Sequence, residues 1–251
     1  MRVLGIDIGG TGIKGALVDT ITGELVTERY KLPTPKSRLP EDVIPVVVNV
    51  IKHFNYKGSV GVGFPAVVVD GVPKTHFTSH RITEWIGYPV ASRLGEAAGC
   101  QVTLLNDADA AGVAEMTHGH GKGERGTVVL LTLGTGLGSA LFVNGVLVPN
   151  TEFGNLWLDG WDMVAERYAA ERARIEMNLS WKKWARNLDK FLNHIEHIFS
   201  PQLIILGGGG AKKTKKYVPY LTVPCRVEHA ELGNQAGIVG AAMAALQAER
   251  M

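Results

Sequence analysis

Apolar and β-branched residues cluster at 2–8, 14–19, 25–31, 59–64, 101–106, 127–133, 139–144 and 202–206, each run bounded by glycine or polar turn residues, and this pattern predicts a strand at each place. Between these runs the apolar spacing changes from two to three and four. In the stretch 180–200, Trp181, Trp184, Ala185, Leu188, Phe191, Leu192, Ile195, Ile198 and Phe199 fall on one stripe, which predicts an amphipathic helix with that stripe in the core. Weaker helical patterns occupy 41–54, 89–98, 108–118, 160–177 and 234–249. Strands and helices alternate along the whole chain, so the fold class is α/β.

One pattern occurs twice. "VLGIDIGGTGIKGALV" near the start and "VLLTLGTGLGSALFVNGVLV" from Val129 each run apolar strand, Gly/Thr-rich turn, apolar strand. Copies about half a chain apart predict two related lobes, each presenting a glycine hairpin toward a shared cleft. A third cluster, "LIILGGGGAKK", follows a buried-type strand and precedes an expected helix.

Composition narrows the functions available. A chain of 251 residues, 45% hydrophobic and 20% charged, has enough apolar content for one large domain or two lobes. Its net charge of +2 gives no extended basic surface, which argues against a nucleic-acid partner. Cys100 and Cys225 match neither a disulfide framework nor a zinc spacing, and they point to inert thiols in a reducing, cytoplasmic compartment. No leader pattern and no run long enough to cross a bilayer is present, so neither secretion nor membrane insertion is expected.

Glycine turns let backbone amides approach phosphate oxygens closely, and three such turns in one chain favour phosphate binding. None carries the lysine of a P-loop or the full dinucleotide spacing. Asp7 precedes Gly9, Gly10 and Thr11 at the end of a strand and is placed to face a Mg²⁺–phosphate complex through water, with Thr11 and Lys14 as further donors. In the second copy, Thr132 and Thr135 offer hydroxyls without a carboxylate. "VTLLNDADAAGVAE" sets Asn106, Asp107 and Asp109 where a strand gives way to a helix. One of the three serves as helix cap, and a carboxylate there is placed to accept the proton of an attacking hydroxyl. Phosphoryl transfer requires little more than an oriented nucleophile, such an acceptor, and donors for the transferring charge. Glu152, in the loop after the second hairpin, is suited to sugar hydroxyls. Glu166 reads by its own neighbourhood as a surface residue of a charged helix.

These segments resemble the ROK sugar-kinase family, and within it the polyphosphate/ATP-dependent glucokinases: "GIDIGGTGIKGALVD", "LNDADAAGVAE", "LTLGTGLGSALF", "NGVLVPNTEFG", "SWKKWA", "LIILGGGG" and "NQAGIVGAA" occur in that order. The resemblance implies the actin-like ATPase (ribonuclease H-like) fold, with residues 1–107 plus 236–251 as a small lobe and 108–235 as a large one. It implies Asp107 as the general base on the 6-hydroxyl of a hexose, and Asn106, Glu152 and Glu166 as sugar ligands. Asp7, Gly9, Gly10, Thr11 and Lys14 would form the first phosphate turn, Thr135 and Gly136 the second, and Gly208 and Gly209 the segment beside the adenosine of ATP. Mg²⁺ would accompany the donor, polyphosphate or ATP, and the protein would be a homodimer.

The chain departs from the family pattern on the sugar side. "EFGN" puts Asn155 where a His is usual, and "GFPA" puts Ala66 where a Gly is usual. The segment "THFTSHRITEWIG" also differs, with His80 or Arg81 as candidates for the usual Asn. The cysteine cluster of zinc-bearing members is lacking, so no structural zinc is expected. Lys212, Lys213, Lys215 and Lys216 follow the third glycine cluster, as either a solvated face or a guide for polyphosphate. "THGHGKGER", with His118 and His120, reads as a polar loop and not a metal site. The alternative function is a ROK-fold sugar-binding or regulatory protein with altered sugar preference and weak or no kinase activity.

Overall fold

The computed structural model describes residues 1–77, 82–211 and 213–250. In the first of two compact units, β1 (Arg2–Ile8), β2 (Gly12–Asp19) and β3 (Tyr30–Pro33) form an antiparallel meander. There follow α1 (Pro40–His53), β4 (Val60–Phe64), the short pair β5 (Val68–Val69) and β6 (Val72–Pro73), α2 (Val90–Ala98), β7 (Val102–Asn106) and α3 (Asp107–His118). The sheet order is β3-β2-β1-β4-β7, with β1, β4 and β7 parallel.

The second unit contains β8 (Thr127–Leu133), β9 (Leu137–Val143), β10 (Val146–Val148), the short helices α4 (Glu166–Ala169) and α5 (Glu171–Glu176), the long α6 (Trp181–Phe199), β11 (Leu203–Gly207), the single turn α7 (Gly208–Ala211) and β12 (Arg226–His229). Its sheet order is β10-β9-β8-β11-β12, again an antiparallel meander followed by two parallel strands. Each unit thus carries the same strand plan, the structural form of the sequence repeat. The chain then returns to the first unit as α8 (Ala236–Ala248).

The units comprise Met1–His118 with Asn234–Met251, and Gly119–Gly233. This division differs from the expected boundary at 107 by the whole of α3, which packs on α8 and so belongs with the first sheet. The closeness of α8 to its neighbours follows from glycine. Gly5 and Gly61 face each other in the β1–β4 register, and a Cβ on either would lie 1.9 Å from the Ile238 carbonyl oxygen or 1.7 Å from that of Ala241. On the other side of the helix, a Cβ on Gly240 would lie 1.6 Å from the Ala110 carbonyl oxygen.

Four expectations are corrected. The run 25–31 is not a strand: Leu25 makes an isolated bridge to Val18, and β3 begins only at Tyr30. The pattern over 160–177 is not one helix but α4 and α5, broken where Ala170 is extended at φ −63° and ψ 151°. After the third glycine cluster the helix is only one turn long and passes into 3₁₀ turns. On α6 the expected stripe buries Trp184, Ala185, Leu188, Phe191, Leu192 and Ile195, but Ile198 is exposed in the last turn. A Ser180 side chain that accepts the Lys183 amide caps the start of that helix.

Candidate active site

In the first unit, the turn between β1 and β2 is Gly9-Gly10-Thr11, closed by a Gly9 amide to Gly12 carbonyl hydrogen bond of 3.0 Å. Its carbonyls are tied back by the Thr34 hydroxyl, which donates to Gly9 O at 2.6 Å, and by an Arg38 Nη2 donating to Gly10 O at 3.3 Å. Neither Gly9 nor Gly10 adopts the left-handed conformation, so the turn does not need glycine for its backbone. A Cβ on Gly10 would meet nothing within 4 Å. The absent side chain therefore leaves open space beside exposed Thr11, room that a phosphate group would fill. Gly134 in the second hairpin shows the same two properties.

Asp7 and Lys14 are register partners across β1 and β2, and the ammonium sits 2.8 Å from the carboxylate. Asp7 is accommodated against the first turn of α8 because Gly237 has no side chain: a Cβ there would lie 2.9 Å from Asp7 Cγ.

At the end of β7 the three polar residues divide their work. Asn106 is buried, its Oδ1 accepts the amides of Ala108 and Asp109 at 2.8 and 3.2 Å, and its Nδ2 donates to the Ala66 carbonyl at 3.1 Å. It is the cap of α3 and the tie to the "GFPA" loop, which leaves one amide N–H for a ligand. Asp109 is buried. Asp107, the first residue of the helix, is exposed.

In the second unit the acidic candidates gather at the second hairpin. Glu166, at the start of α4, accepts the Leu137 amide with Oε2 at 3.0 Å, and a Cβ on Gly136 would lie 2.7 Å from the same oxygen. Glu152 lies in a loop held by buried Ser139, whose hydroxyl donates to the Thr151 carbonyl at 2.8 Å and accepts the Phe153 amide at 3.0 Å. Part of Glu152 reaches solvent, yet burial of its carboxyl, and secondarily the Glu166 charge, raise its pKa above the ordinary value. Asn155 ends a 3₁₀ turn and is exposed, while Gly154 approaches so closely that a Cβ would lie 2.5 Å from Leu137 O. Ser139 had no distinguishing mark in the sequence beyond its place in "GLGSALF".

The third glycine cluster does require glycine for its backbone. Gly208 has φ +79°, and a Cβ there would lie 2.7 Å from Leu133 O. A Cβ on Gly209 would lie 3.0 Å from Glu171 Oε2, and Glu171 pairs with Lys213 at 3.3 Å. Beyond it, Leu206, Thr214, Lys215, Val218, Val227 and His229 are among the residues lining a cavity of about 260 Å³. His120 lies 3.9 Å from Glu231 and close to His229, whereas His118 ends α3 in the other unit. Among the described residues no three His, Cys, Asp or Glu side chains form a metal-holding group. Burial raises both cysteine thiols above their ordinary pKa, which disfavours the reactive thiolate. His80, Arg81 and Lys212 lie outside the described residues.

The profile of the ROK family matches residues 3–152. The chain belongs to the ROK family. It is 46% identical over 243 residues to the polyphosphate glucokinase of Mycobacterium tuberculosis (strain CDC 1551 / Oshkosh), covering 96% of this chain and 90% of that one. Its structure matches that of inorganic polyphosphate/ATP-glucomannokinase from Arthrobacter sp. strain KM with a TM-score of 0.90 and 41% identity, covering 98% of this chain and 99% of that one. A ROK family glucokinase from Streptomyces griseus, solved with glucose and AMPPNP, matches at a TM-score of 0.81 and 24% identity, over 98% of this chain and all of that one, which bears on the fold alone. The fold is the actin-like ATPase fold of ROK sugar kinases.

Proposed function

We propose that this ROK protein transfers the terminal phosphoryl group of polyphosphate or ATP to the 6-hydroxyl of a hexose of the glucose type. What carries the reading is the division at the end of β7: Asn106 takes the capping hydrogen bonds, and the neighbouring Asp107 carboxylate is exposed. In the reaction Asp107 accepts the hydroxyl proton, the sugar oxygen bonds to the terminal phosphorus, and the bridging P–O bond breaks to release ADP or a shortened polyphosphate. Glu152, Asn155, Glu166 and the remaining Asn106 N–H are assigned to sugar hydroxyls. The amides and hydroxyls of Gly9, Gly10 and Thr11, with Lys14, and those of Thr135 and Gly136, are assigned to the donor phosphates. Gly208, Gly209 and the 260 Å³ cavity are assigned to the adenosine end of ATP.

Mg²⁺ prefers oxygen ligands, keeps several waters and is commonly held by one or two carboxylates plus substrate phosphates. Asp7 supplies a single carboxylate already paired with Lys14, which fits an ion carried in on the donor and touched through water better than a resident one. Such an ion, when bound, screens phosphate charge. Among the described residues no helix is long and apolar enough to cross a membrane. A cytoplasmic homodimer is part of the same proposal, and sedimentation of the purified chain tests the dimer.

The decisive experiment is coupled turnover on a panel of hexoses with ATP and with polyphosphate, for the natural chain and for Asp107→Asn. The natural chain is expected to phosphorylate glucose, and the variant to lose about 10²–10⁴ in kcat while keeping its fold and sugar affinity. Near-natural turnover in the variant removes Asp107 from the base role. Sugar binding without turnover on any pair of substrates would instead favour a sugar-sensing protein.

A further inference from the structure

The loop between β3 and α1 holds the first glycine turn from one side. Three successive carbonyls of the turn accept from it: Gly9 O takes the Thr34 hydroxyl at 2.6 Å, Gly10 O takes Arg38 Nη2 at 3.3 Å, and Thr11 O takes the Thr34 amide at 3.4 Å. Among the described residues no peptide bond is cis, so each N–H of the turn points opposite to the carbonyl of the residue before it. The Gly10 and Thr11 N–H groups therefore face away from the loop. Among the described residues neither donates to a protein acceptor, and the Cβ position of Gly10 opens on free space. Two successive N–H groups without an acceptor form an anion-binding feature.

One member of the loop is at odds with its own backbone. Arg38 has φ +56°, in the left-handed region that long side chains rarely occupy and that glycine or asparagine adopts at less cost. The conformation is fixed at both ends of the residue: the Arg38 amide donates to Pro35 O at 3.1 Å, and the indole N–H of fully buried Trp85 donates to Arg38 O at 2.7 Å. Such strain persists where surrounding contacts fix it, and it gathers at functional sites. Glycine or asparagine would relieve it, but neither brings a cation to Gly10 O. The charge has no counter-ion. Among the described residues Arg38 makes no ion pair, and Asp42, in the first turn of α1, instead accepts the Ser37 hydroxyl at 2.5 Å. Lys14, the lysine of the hairpin itself, is already paired with Asp7.

We propose that Arg38 is a positioning residue for the donor phosphates: its guanidinium holds the Gly10–Thr11 peptide from behind, so that the Thr11 N–H, beside the Gly10 N–H set by Thr34, is aimed at a phosphate oxygen. A cation on a carbonyl oxygen also polarises the peptide and makes its N–H the stronger donor. The proposal rests on the reading of this turn as the donor cradle, and it adds the device that orients the cradle. Backbone N–H groups meet only phosphate oxygens, which ATP and polyphosphate share. Arg38 therefore acts equally on both donors and leaves the choice of hexose alone.

The test compares Arg38→Gly and Lys36→Gln with the natural chain. Arg38→Gly removes the guanidinium and relieves the backbone, whereas Lys36→Gln removes an exposed charge from the same loop. For Arg38→Gly, kcat/KM is expected to fall roughly tenfold for ATP and for polyphosphate alike, as for one lost charge-assisted hydrogen bond, with the hexose KM unchanged. Its melting temperature is expected to stay level or rise, because the left-handed residue is now glycine. Lys36→Gln is expected to keep natural donor kinetics. A second measurement needs no turnover: the amide resonances of Gly10 and Thr11 are followed in isotope-labelled protein as tripolyphosphate is added without hexose. Both should shift in the natural chain and shift much less in Arg38→Gly. If Arg38→Gly does not fold by circular dichroism, Arg38→Lys, which keeps the charge without the planar fork, decides by a smaller loss in the same readouts. A lowered melting temperature with unchanged tripolyphosphate binding, unequal losses for the two donors, an equal loss in Lys36→Gln, or Gly10 and Thr11 amides that ignore tripolyphosphate in the natural chain would overturn the proposal. Amide shifts that depend on Arg38 in a protein that phosphorylates no hexose would leave this role standing and remove the kinase reading.

Discussion

Glu152 and Glu166 come from a loop and a four-residue helix, yet the charge of one bears on the titration of the other. Burial, and then the Glu166 carboxylate, raise the Glu152 pKa above its ordinary 4.5, so the folded chain holds that proton more tightly than the unfolded one. The resulting stabilisation is fully present below the ordinary value and is lost as pH rises through the raised one. Glu166→Gln removes one of the two causes. Its expected effect is a Glu152 titration midpoint shifted back toward the ordinary value, read from the side-chain carboxyl resonance in both proteins, and an unmoved midpoint would refute the coupling. Phosphoryl transfer also falls in this variant if Glu166 holds sugar. The Asp7–Lys14 pair was within reach of the sequence, because a short glycine turn fixes which residues of a hairpin face each other. Glu166 was not. Its hydrogen-bond partner, the Leu137 amide, is 29 positions away, and a charged helical neighbourhood gives no hint of a half-buried carboxylate beside a glycine turn.

At the level of elements, hydrophobic spacing located the strands with both faces buried, such as β4 and β11, since short, near-continuous runs of apolar residues and glycine suit a strand covered on both sides. It failed where backbone conformation overrides periodicity, at extended Ala170 between α4 and α5. For α8 the spacing gave a helix but not its role, because a helix of Ala, Gly and Val is apolar all round and its contacts are made by missing side chains. Two glycine replacements separate packing from ligand room. Gly240→Ala sets a methyl group 1.6 Å from the Ala110 carbonyl oxygen, with a fixed helix on each side. We expect a loss of about 3 kcal/mol or more in chemical denaturation. Gly10→Ala meets no atom and asks for no left-handed backbone, so stability should stay within about 0.5 kcal/mol while the donor KM rises. If Gly10→Ala lowered stability as much as Gly240→Ala, the turn would be a structural element and not a donor cradle.

On the scale of the whole molecule, the sequence repeat announced two units of one plan, and the two sheets do share a strand order. What the repeat did not reveal is that the first unit is discontinuous and depends on the last residues of the chain. Its core of β1, β4, α1 and α2 residues is closed by α8, which lies on β1 and β4 through Gly5 and Gly61 and against α3 through Gly240. The second unit is one continuous stretch, Gly119–Gly233, with its own core of β8, β11 and α6 side chains that include Leu131, Ile204, Trp184 and Phe191. A chain cut after Gly233 therefore loses the helix that covers one sheet and loses nothing from the other core. Hydrogen exchange on that truncated chain should show the amides of β1, β4 and β7 unprotected and those of β8, β9 and β11 still slow. The isolated stretch 119–233, of ordinary domain size, should unfold cooperatively on heating. Loss of protection in β8 and β11 on truncation, or a non-cooperative melt of the isolated stretch, would mean that the second core needs the first in order to fold, and the duplicated plan would then be one folding unit and not two.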